Sequence, residues 1–297
     1  MSSGFQNPEI SITSYGAAGG SVTGSCHIYE SGRRGSSDYN KVIIDCGIFQ
    51  GMGDLARMKR KNARGDEFHS IISEGNPSTL LSHGHIDHIG FAPLLSQSGN
   101  TSVIFTTEET KKLMEVNLTR SAMIQIKDKI VTPFSFGPED VENTLRRVQI
   151  VKPFEEIPVT RDGSINAIFC PNGHIPGSCS IIIKDEKSGR NVLFTGDIGR
   201  PDQLDTGGYN MFASKYPQDP IHLLVTESTC FTNTPIPFDE RIALFQNEIN
   251  SAFQRGNVVL MPCIQHRYME NIEIMRNSQI EGKIPDDISF FRDGPAL

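Results

Sequence analysis

Short apolar runs recur along the chain and are separated by polar stretches that contain glycine. Alternating apolar positions and β-branched residues are typical of strands. Most of these runs are three to five residues long, as expected for strands that bury one or both faces. The pattern predicts strands at 10–12, 21–29, 41–44, 79–81, 103–105, 165–169, 180–183, 192–194, 223–225, 258–260 and 288–291.

Other stretches have apolar residues at helical spacing. Residues 108–147 are predicted to be largely helical, with a helix that opens at Gly137-Pro138 and extends to Val148. Further helices are predicted over 239–255 and through Met269 and Met275. Asp87 is expected to cap a helix that runs through Leu94. The mixture of strands and helices predicts an α/β fold.

A cluster of histidines directly follows the apolar pair Leu80-Leu81. In an extended segment, residues two apart point to the same side, so His83 and His85 can reach one point. Asp87 and His88 follow at once. Imidazole nitrogen and carboxylate oxygen together suit zinc or a similar first-row metal. We therefore predict a metal site here, in preference to an ordinary surface loop.

Three further strand-end loops supply candidate ligands. Asp45 ends the strand at 41–44, His174 lies in the glycine-rich turn 171–178, and Asp197 follows the strand at 192–194. A single carboxylate at a strand end is more often a turn former than a ligand. Taken in order with the histidine cluster, however, the set indicates a metal centre assembled from several loops.

The composition describes a globular chain of 297 residues, with 37% hydrophobic and 21% charged residues. That length suffices for one large domain or two ordinary ones. The net charge of −7 argues against broad, nonspecific adhesion to nucleic acid. A local basic cluster is either a solvated helix face or a rim that contacts phosphates. This cluster comprises Arg57, Lys59, Arg60, Lys61 and Arg64.

The compartment is predicted from what the sequence does not contain. No apolar run approaches the roughly 20 residues that span a bilayer, and the N-terminus lacks the pattern of a secretory signal. A cytoplasmic protein without a membrane partner is therefore expected. The six cysteines form no CxxC pair and are predicted to be buried thiols. A soft-ligand metal site between Cys170 and Cys179 is the alternative.

The order of the candidate ligands resembles the metallo-β-lactamase superfamily. Within that superfamily the chain resembles the β-CASP branch, which includes RNase J and the endonuclease of mRNA 3′-end processing. The sequence motifs that carry this resemblance lie at residues 45–51, 173–178 and 227–229. Pro262 with Arg267–Glu270, and then 293–295, extend the resemblance along the chain. It implies an αββα sandwich over residues 1–226, followed by part of a β/α cap domain over 227–297.

The resemblance also implies the roles of individual residues. His83, His85 and His174 are expected to hold one zinc ion, and Asp87 and His88 a second, with Asp197 bridging them. Manganese is the alternative metal. Asp45 and Glu227 are expected to orient the ligands or fix the catalytic geometry, and Asp87 to orient or deprotonate the attacking water. The implied substrate is RNA, cut internally or from its 5′ end, by a homo-oligomer or within an RNA-processing complex.

The sequence departs from the branch in one respect. β-CASP enzymes supply two more histidines after the cap, and this sequence ends at Leu297. Its other histidines match neither motif: His27 is expected to be structural, and His69 and His222 are expected to lie at the surface. No role in the site is expected for His266, and a contact with the substrate is the alternative. Two alternatives follow: a lactamase-fold hydrolase of small esters, thioesters or lactams, and a degenerate paralogue that binds RNA or a partner without catalysis.

Overall fold

The computed structural model describes residues 9–16, 23–50, 66–129, 135–201, 203, 206, 209, 219–229, 234, 236–262 and 267–291. The basic cluster at 57–64, the segment 293–295, Cys230, Cys263 and His266 lie outside these residues. The expectations for those positions therefore stay predictions.

Six of the described strands form the first sheet, in the same order as along the chain. The first three pair antiparallel, and each later strand pairs in parallel with the one before it. Parallel neighbours need long connections, which here contain helices. The strands are β1 (Ile10–Ser14), β2 (His27–Ser31), β3 (Asn40–Ile44), β4 (Ser78–Leu80), β5 (Ile104–Thr106) and β6 (Val148–Ile150).

The second sheet contains five strands within the described part of the chain, in the order β11-β10-β9-β8-β7. Strands β7 to β10 pair antiparallel with their neighbours, whereas β11 runs parallel to β10. The edge strand β11 therefore follows β10 only after a long connection, residues 195–222. The strands are β7 (Glu156–Pro158), β8 (Ile165–Pro171), β9 (Cys179–Asp185), β10 (Arg190–Phe194) and β11 (Leu223–Val225).

The inner faces of the two sheets share one core. Along β8, Ala167 and Phe169 pack inward with Ile44 of the first sheet, whereas Ile168 and Cys170 belong to a separate outer cluster. This alternation follows the two-residue period of a strand, and a register shift by one residue would exchange the faces. The predicted two-sheet α/β sandwich is therefore confirmed.

Five helices within the described residues connect the strands of the first sheet. A second core joins Ile43 and Ile104 on the outer face of that sheet to Phe68, Leu94 and Met114 on the helices. Each helix thus buries one apolar side against the sheet. The helices are α1 (Asp66–Ser73), α2 (Ile86–Ile89), α3 (Ala92–Gln97), α4 (Glu108–Lys127) and α5 (Pro138–Arg146).

The C-terminal helices form a small core of their own. Ile249 of α6 (Phe238–Gln254) packs with Met275 of α7 (Arg267–Ile280) and with Ile284. The predicted strands at 258–260 and 288–291 are wrong, since neither segment forms a strand in the structure. Val258 is 96% and Phe291 93% exposed. A strand needs a pairing partner as well as an apolar pattern, and neither segment pairs with a described strand.

Three other features of the structure differ from those expected. Residues 23–26 precede β2 without forming strand, so the strand predicted at 21–29 begins only at His27. The stretch 108–147 contains two helices, the second of which begins at Pro138 as predicted, but Val148 starts β6 rather than ending a helix. His69 lies in α1, half-buried, with its Nδ1 2.7 Å from Ser98 Oγ, rather than at the open surface.

Candidate metal centre

Two neighbouring parallel strands deliver the first part of the site. Asp45 directly follows β3, and the histidine cluster begins three residues after the end of β4. These strands pair in parallel, with Ile44 opposite Leu80, so their carboxyl ends lie at the same edge of the sheet. Asp45 Oδ1 consequently accepts a 2.8 Å hydrogen bond from the backbone N–H of Ser82.

The histidine cluster spans the junction between a loop and a short helix. His85 has extended backbone angles, φ −71° and ψ 146°, and is the N-cap of α2. Asp87 is the second residue of that helix, so its expected role as the N-cap is wrong. An N-cap residue keeps an extended backbone, and His85 is the last residue before the helix to do so. His83 and His85 therefore precede the helix, and His88 lies on it.

Four side chains converge at this edge of the sandwich. His83, His85, His174 and Asp197 each offer one ligand atom, and these atoms all lie within 4.8 Å of one another. His85 Nδ1 lies 3.0 Å from His83 Nε2 and 3.1 Å from His174 Nε2. Asp197 Oδ2 lies 3.8 Å from His83 Nε2 and 3.4 Å from His174 Nε2.

His88 approaches the same carboxylate from its other oxygen. Its Nε2 lies 3.3 Å from Asp197 Oδ1, and its Nδ1 lies 2.7 Å from Asp45 Oδ2. Burial opposes protonation of His88, but the carboxylates of Asp45 and Asp197 raise its pKa well above the usual value. Burial likewise opposes the charge of Asp197, yet His88 and the neighbouring imidazoles lower the pKa of Asp197 to about 2.

Asp87 lies outside the group of four converging side chains. It is nevertheless close enough to His88 and Asp197 for their charges to act on it. Burial raises the pKa of Asp87, with the negative charge of Asp197 adding to this effect and His88 opposing it. The structure thus brings Asp87 beside the group without giving it a direct contact to the other candidate ligands.

The second sheet contributes His174 and Asp197 from adjacent loops. The turn that carries His174 joins β8 to β9, and Asp197 follows β10 by three residues. Asn172 fixes these loops to each other, since its Nδ2 donates to the carbonyls of Thr195 at 2.9 Å and Asp197 at 2.8 Å. The backbone N–H of Cys179 also donates to Ser82 O across the two sheets, at 2.9 Å.

The model of the metallo-beta-lactamase superfamily matches residues 37–229, a span that includes every candidate ligand described above. This is well over half of the chain. The chain belongs to the metallo-beta-lactamase superfamily. The match ends at the loop after β11, before the small C-terminal core of α6 and α7.

The relatives of this metallo-beta-lactamase superfamily member include proteins that are named as ribonucleases. Ribonuclease TTHA0252 of Thermus thermophilus is 30% identical over 253 residues, which are 84% of this chain and 51% of that protein. Integrator complex subunit 11 of Danio rerio is 26% identical, over 86% of this chain and 40% of its own. Endoribonuclease ysh1 of Schizosaccharomyces pombe is 27% identical, over 82% and 29%.

These relatives confirm the resemblance to the β-CASP branch. The chain spans about half the length, or less, of the relatives that it matches. Their full activities and partners therefore do not transfer directly to it.

The donor atoms of this superfamily member fit a divalent metal ion. Imidazole nitrogens and one carboxylate are the ligand types that such ions take in proteins. The Nε2 of His88 supports this fit independently, because it is buried and forms no hydrogen bond to any described residue, although it faces Asp197. A buried polar atom of that kind is costly unless it gains a partner.

Glu227 holds the loop of Asp197 rather than joining the converging ligands. Its Oε1 accepts a 2.5 Å hydrogen bond from the backbone N–H of Ile198, the residue after Asp197. Glu227 also borders a cavity of about 130 Å³ that reaches Asp45, His88 and Asp197. His27 lines the same cavity, and its Nδ1 lies 2.8 Å from Ser14 Oγ. Burial lowers the pKa of His27.

Ser82 contacts two site residues, and no role for it was predicted from the sequence. Its Oγ donates to Asp45 Oδ2 at 2.9 Å and lies 3.0 Å from His83 Nδ1. Ser25 Oγ also donates to Asp45 Oδ2, at 3.4 Å. The only signal for Ser82 was its position directly before the histidine cluster, and serines in loops are too common for that to indicate a role.

The remaining candidates lie away from the centre. Cys170 and Cys179 fall in two different apolar clusters, on opposite faces of the second sheet, and neither joins the converging ligands. All four cysteines in the described part of the chain are free and buried, as predicted. His222 accepts a hydrogen bond from the backbone of Asn191. Among the described helices, none is long and apolar enough to cross a membrane.

Proposed function

We propose that this chain carries the metal centre of a hydrolase that cleaves RNA phosphodiester bonds. The observation behind the proposal is the position of Asp197. One of its oxygens faces His83 and His174, and the other faces His88. A single carboxylate between two sets of imidazoles is the arrangement expected for two ions that share a bridging ligand.

The proposed ligands divide between two zinc ions, with manganese as the alternative metal. His83, His85 and His174 would hold the first ion, Asp87 and His88 would hold the second, and Asp197 would be shared between them. Asp45 orients His88 through the contact at Nδ1, which leaves Nε2 directed toward Asp197. A carboxylate in that position fixes the tautomer and the ring orientation of a ligating histidine.

Two such ions would supply an activated water at neutral pH and would stabilise the negative charge on the phosphodiester group during hydrolysis. Asp87 would orient the attacking water and accept its proton. Glu227 keeps the loop of Asp197 in place through the backbone of Ile198. RNA as the substrate is supported by the names of the relatives, among them a ribonuclease and an endoribonuclease.

We also propose that the chain divides into a metallo-β-lactamase domain over residues 1–226 and part of a cap over 227–297. The separate core of Ile249, Met275 and Ile284 supports this division. The end of the family match at residue 229 supports it as well. A cytoplasmic location and a homo-oligomer or RNA-processing complex stay predictions.

The proposal is tested by incubating the protein with a labelled RNA oligomer in zinc or manganese, beside a chromogenic β-lactam. We expect RNA cleavage, with both His85→Ala and Asp197→Ala lowering it by at least about a hundredfold through loss of a metal ligand. Asp128→Asn, at an exposed position after α4, is the control and should retain full activity.

Metal content measured by mass spectrometry separates the possible outcomes. Two ions bound per chain together with RNA cleavage support the proposal. Lactam turnover without RNA cleavage would overturn the substrate assignment, and unchanged metal content in both alanine variants would overturn the ligand assignment.

A further inference from the structure

An ion pair connects the loop of Asp197 to helix α7. Arg200, three residues after Asp197, donates from its guanidinium to Glu270 Oε1. Glu270 lies in the first turn of α7, seventy residues further along the chain. The pair therefore joins the proposed bridging ligand to a helix that lies outside the matched family domain.

The surroundings of this pair differ from those of an ordinary surface ion pair. The Glu270 side chain is only 6% exposed and the Arg200 side chain 39%. In contrast, Arg146 and Glu142 pair on one face of α5 with both side chains more than 60% exposed. Exposed pairs of that kind contribute little, whereas a buried carboxylate that loses its partner is strongly unfavourable.

The same short loop is held at several neighbouring points. Glu227 accepts from the N–H of Ile198, and the N–H of Gly199 donates to Asn172 O at 3.0 Å. Gly199 also packs so closely on the His174 turn that an added Cβ would lie 2.1 Å from the Gly173 carbonyl. Arg200 supplies the next attachment, and its partner belongs to the C-terminal helices.

We propose that Arg200 and Glu270 are positioning residues that couple helix α7 to the loop of Asp197. The pair supplies an attachment of the loop that is separate from its contacts with the His174 turn, so the carboxylate of Asp197 stays between its surrounding imidazoles. The catalytic consequence rests on the proposed metal-dependent hydrolysis, whereas the mechanical coupling does not. Release of the pair would leave the fold of each part intact and loosen the loop between them.

The coupling is tested by hydrogen exchange on the metal-free protein with Glu270→Gln, which keeps the size of the side chain and removes its charge. We expect the amides of residues 198–200 to exchange roughly tenfold faster, as for the loss of a charge-assisted hydrogen bond. Arg200→Lys keeps the positive charge opposite Glu270, so its amides at residues 198–200 should stay better protected than those of Arg200→Gln. Glu142→Gln, which breaks the exposed pair on α5, is the matched control and should leave residues 198–200 unchanged.

A double-mutant cycle with Arg200→Gln and Glu270→Gln then identifies the direct interaction. If the pair acts as a unit, the double variant should exchange no faster than the more affected single variant. With RNA as substrate, kcat should fall about tenfold in each single variant while KM stays within about twofold.

Unchanged exchange at 198–200 in Glu270→Gln would overturn the coupling, as would additive effects of the two substitutions. The proposed function fails differently, since a wild-type protein that cleaves no RNA could still show the full exchange effect.

Discussion

At the residue scale, Asp45 organises the neighbourhood of the metal centre. Its carboxylate accepts from the backbone and side chain of Ser82 and from Ser25, and it holds His88 Nδ1 at 2.7 Å. Asp45 itself has a φ of +59°, in the left-handed region that few residues other than glycine adopt. Asparagine and aspartate tolerate that region best, so backbone and side-chain requirements select the same residue type here.

Replacement of Asp45 by asparagine separates its charge from its shape. Because asparagine also tolerates a positive φ, the backbone should not change. The amide places either a weaker acceptor or a donor toward His88 Nδ1, and we expect metal affinity and hydrolysis to fall by about 10–100-fold. Metal titration with a competing chelator measures the change. Asp128→Asn is the control, and equal metal affinity in both variants would contradict the orienting role of Asp45.

The sequence predicted the residues whose types are rare and closely spaced. Three histidines and an aspartate within six positions identify the edge at which the structure gathers His83, His85, His174 and Asp197. Ser82 and Arg200 could not be predicted in the same way. Their roles depend on which atoms lie across the loop from them, and a serine or an arginine alone carries no such information.

At the scale of elements, two close backbone approaches bring the ligand loops together. An added Cβ on Gly47 would lie 1.5 Å from the carbonyl oxygen of Asp87, and one on Gly199 would lie 2.1 Å from that of Gly173. No relaxation of a side chain can relieve such contacts, because the obstructing atoms belong to the backbone. The loop of Asp45 can therefore approach the backbone of Asp87 this closely only because residue 47 is a glycine.

Gly47→Ala should consequently be much more harmful than a glycine substitution elsewhere. We expect it to destabilise the fold by at least about 3 kcal/mol and to displace Asp87, because overpacking at a fixed backbone cannot be absorbed. Gly137→Ala is the matched control: its Cβ would meet nothing within 4 Å, and its cost should stay within about 1 kcal/mol. Chemical denaturation measures both. Similar midpoints for the two variants would refute the steric argument.

The sequence predicted the strands accurately where a strand has a neighbouring strand on each side within its sheet. Strands such as β9 and β10 bury apolar residues at regular intervals, and their positions were predicted to within one or two residues. The segments 258–260 and 288–291 have the same apolar composition but form no strand in the described structure. The local pattern of apolar residues indicates a tendency to form a strand. A strand forms only where the segment also finds a partner strand to pair with.

At the scale of the whole molecule, the two sheets are tied together at both edges. At the edge that carries the candidate metal ligands, the backbone N–H of Cys179 in the second sheet donates a hydrogen bond to Ser82 O, beside the first sheet. At the opposite edge, Asp185 of β9 is buried and accepts hydrogen bonds from Tyr29 Oη at 2.9 Å and Ser31 Oγ at 2.5 Å, both on β2. This far edge stabilises the sandwich without contacting the metal centre.

Tyr29→Phe should therefore change stability and leave the chemistry intact. Loss of a buried hydrogen bond to a carboxylate should lower the free energy of unfolding by about 1.5–3 kcal/mol. Tyr39→Phe removes a similar bond to Glu30 nearer the surface and should cost less. Thermal unfolding and RNA cleavage measured on both variants check this. A loss of activity at temperatures where Tyr29→Phe is folded would contradict the separation of the two edges.

The division of the ligands between the two sheets has a consequence for how the site forms during synthesis. His85 leaves the ribosome 89 residues ahead of His174, which it contacts in the finished protein. A nascent chain that has completed only the first sheet offers at most an incomplete and weak set of donors. Closing that long loop requires the second sheet to form and dock. Tight retention of metal would thus report that this late, long-range step of folding is complete.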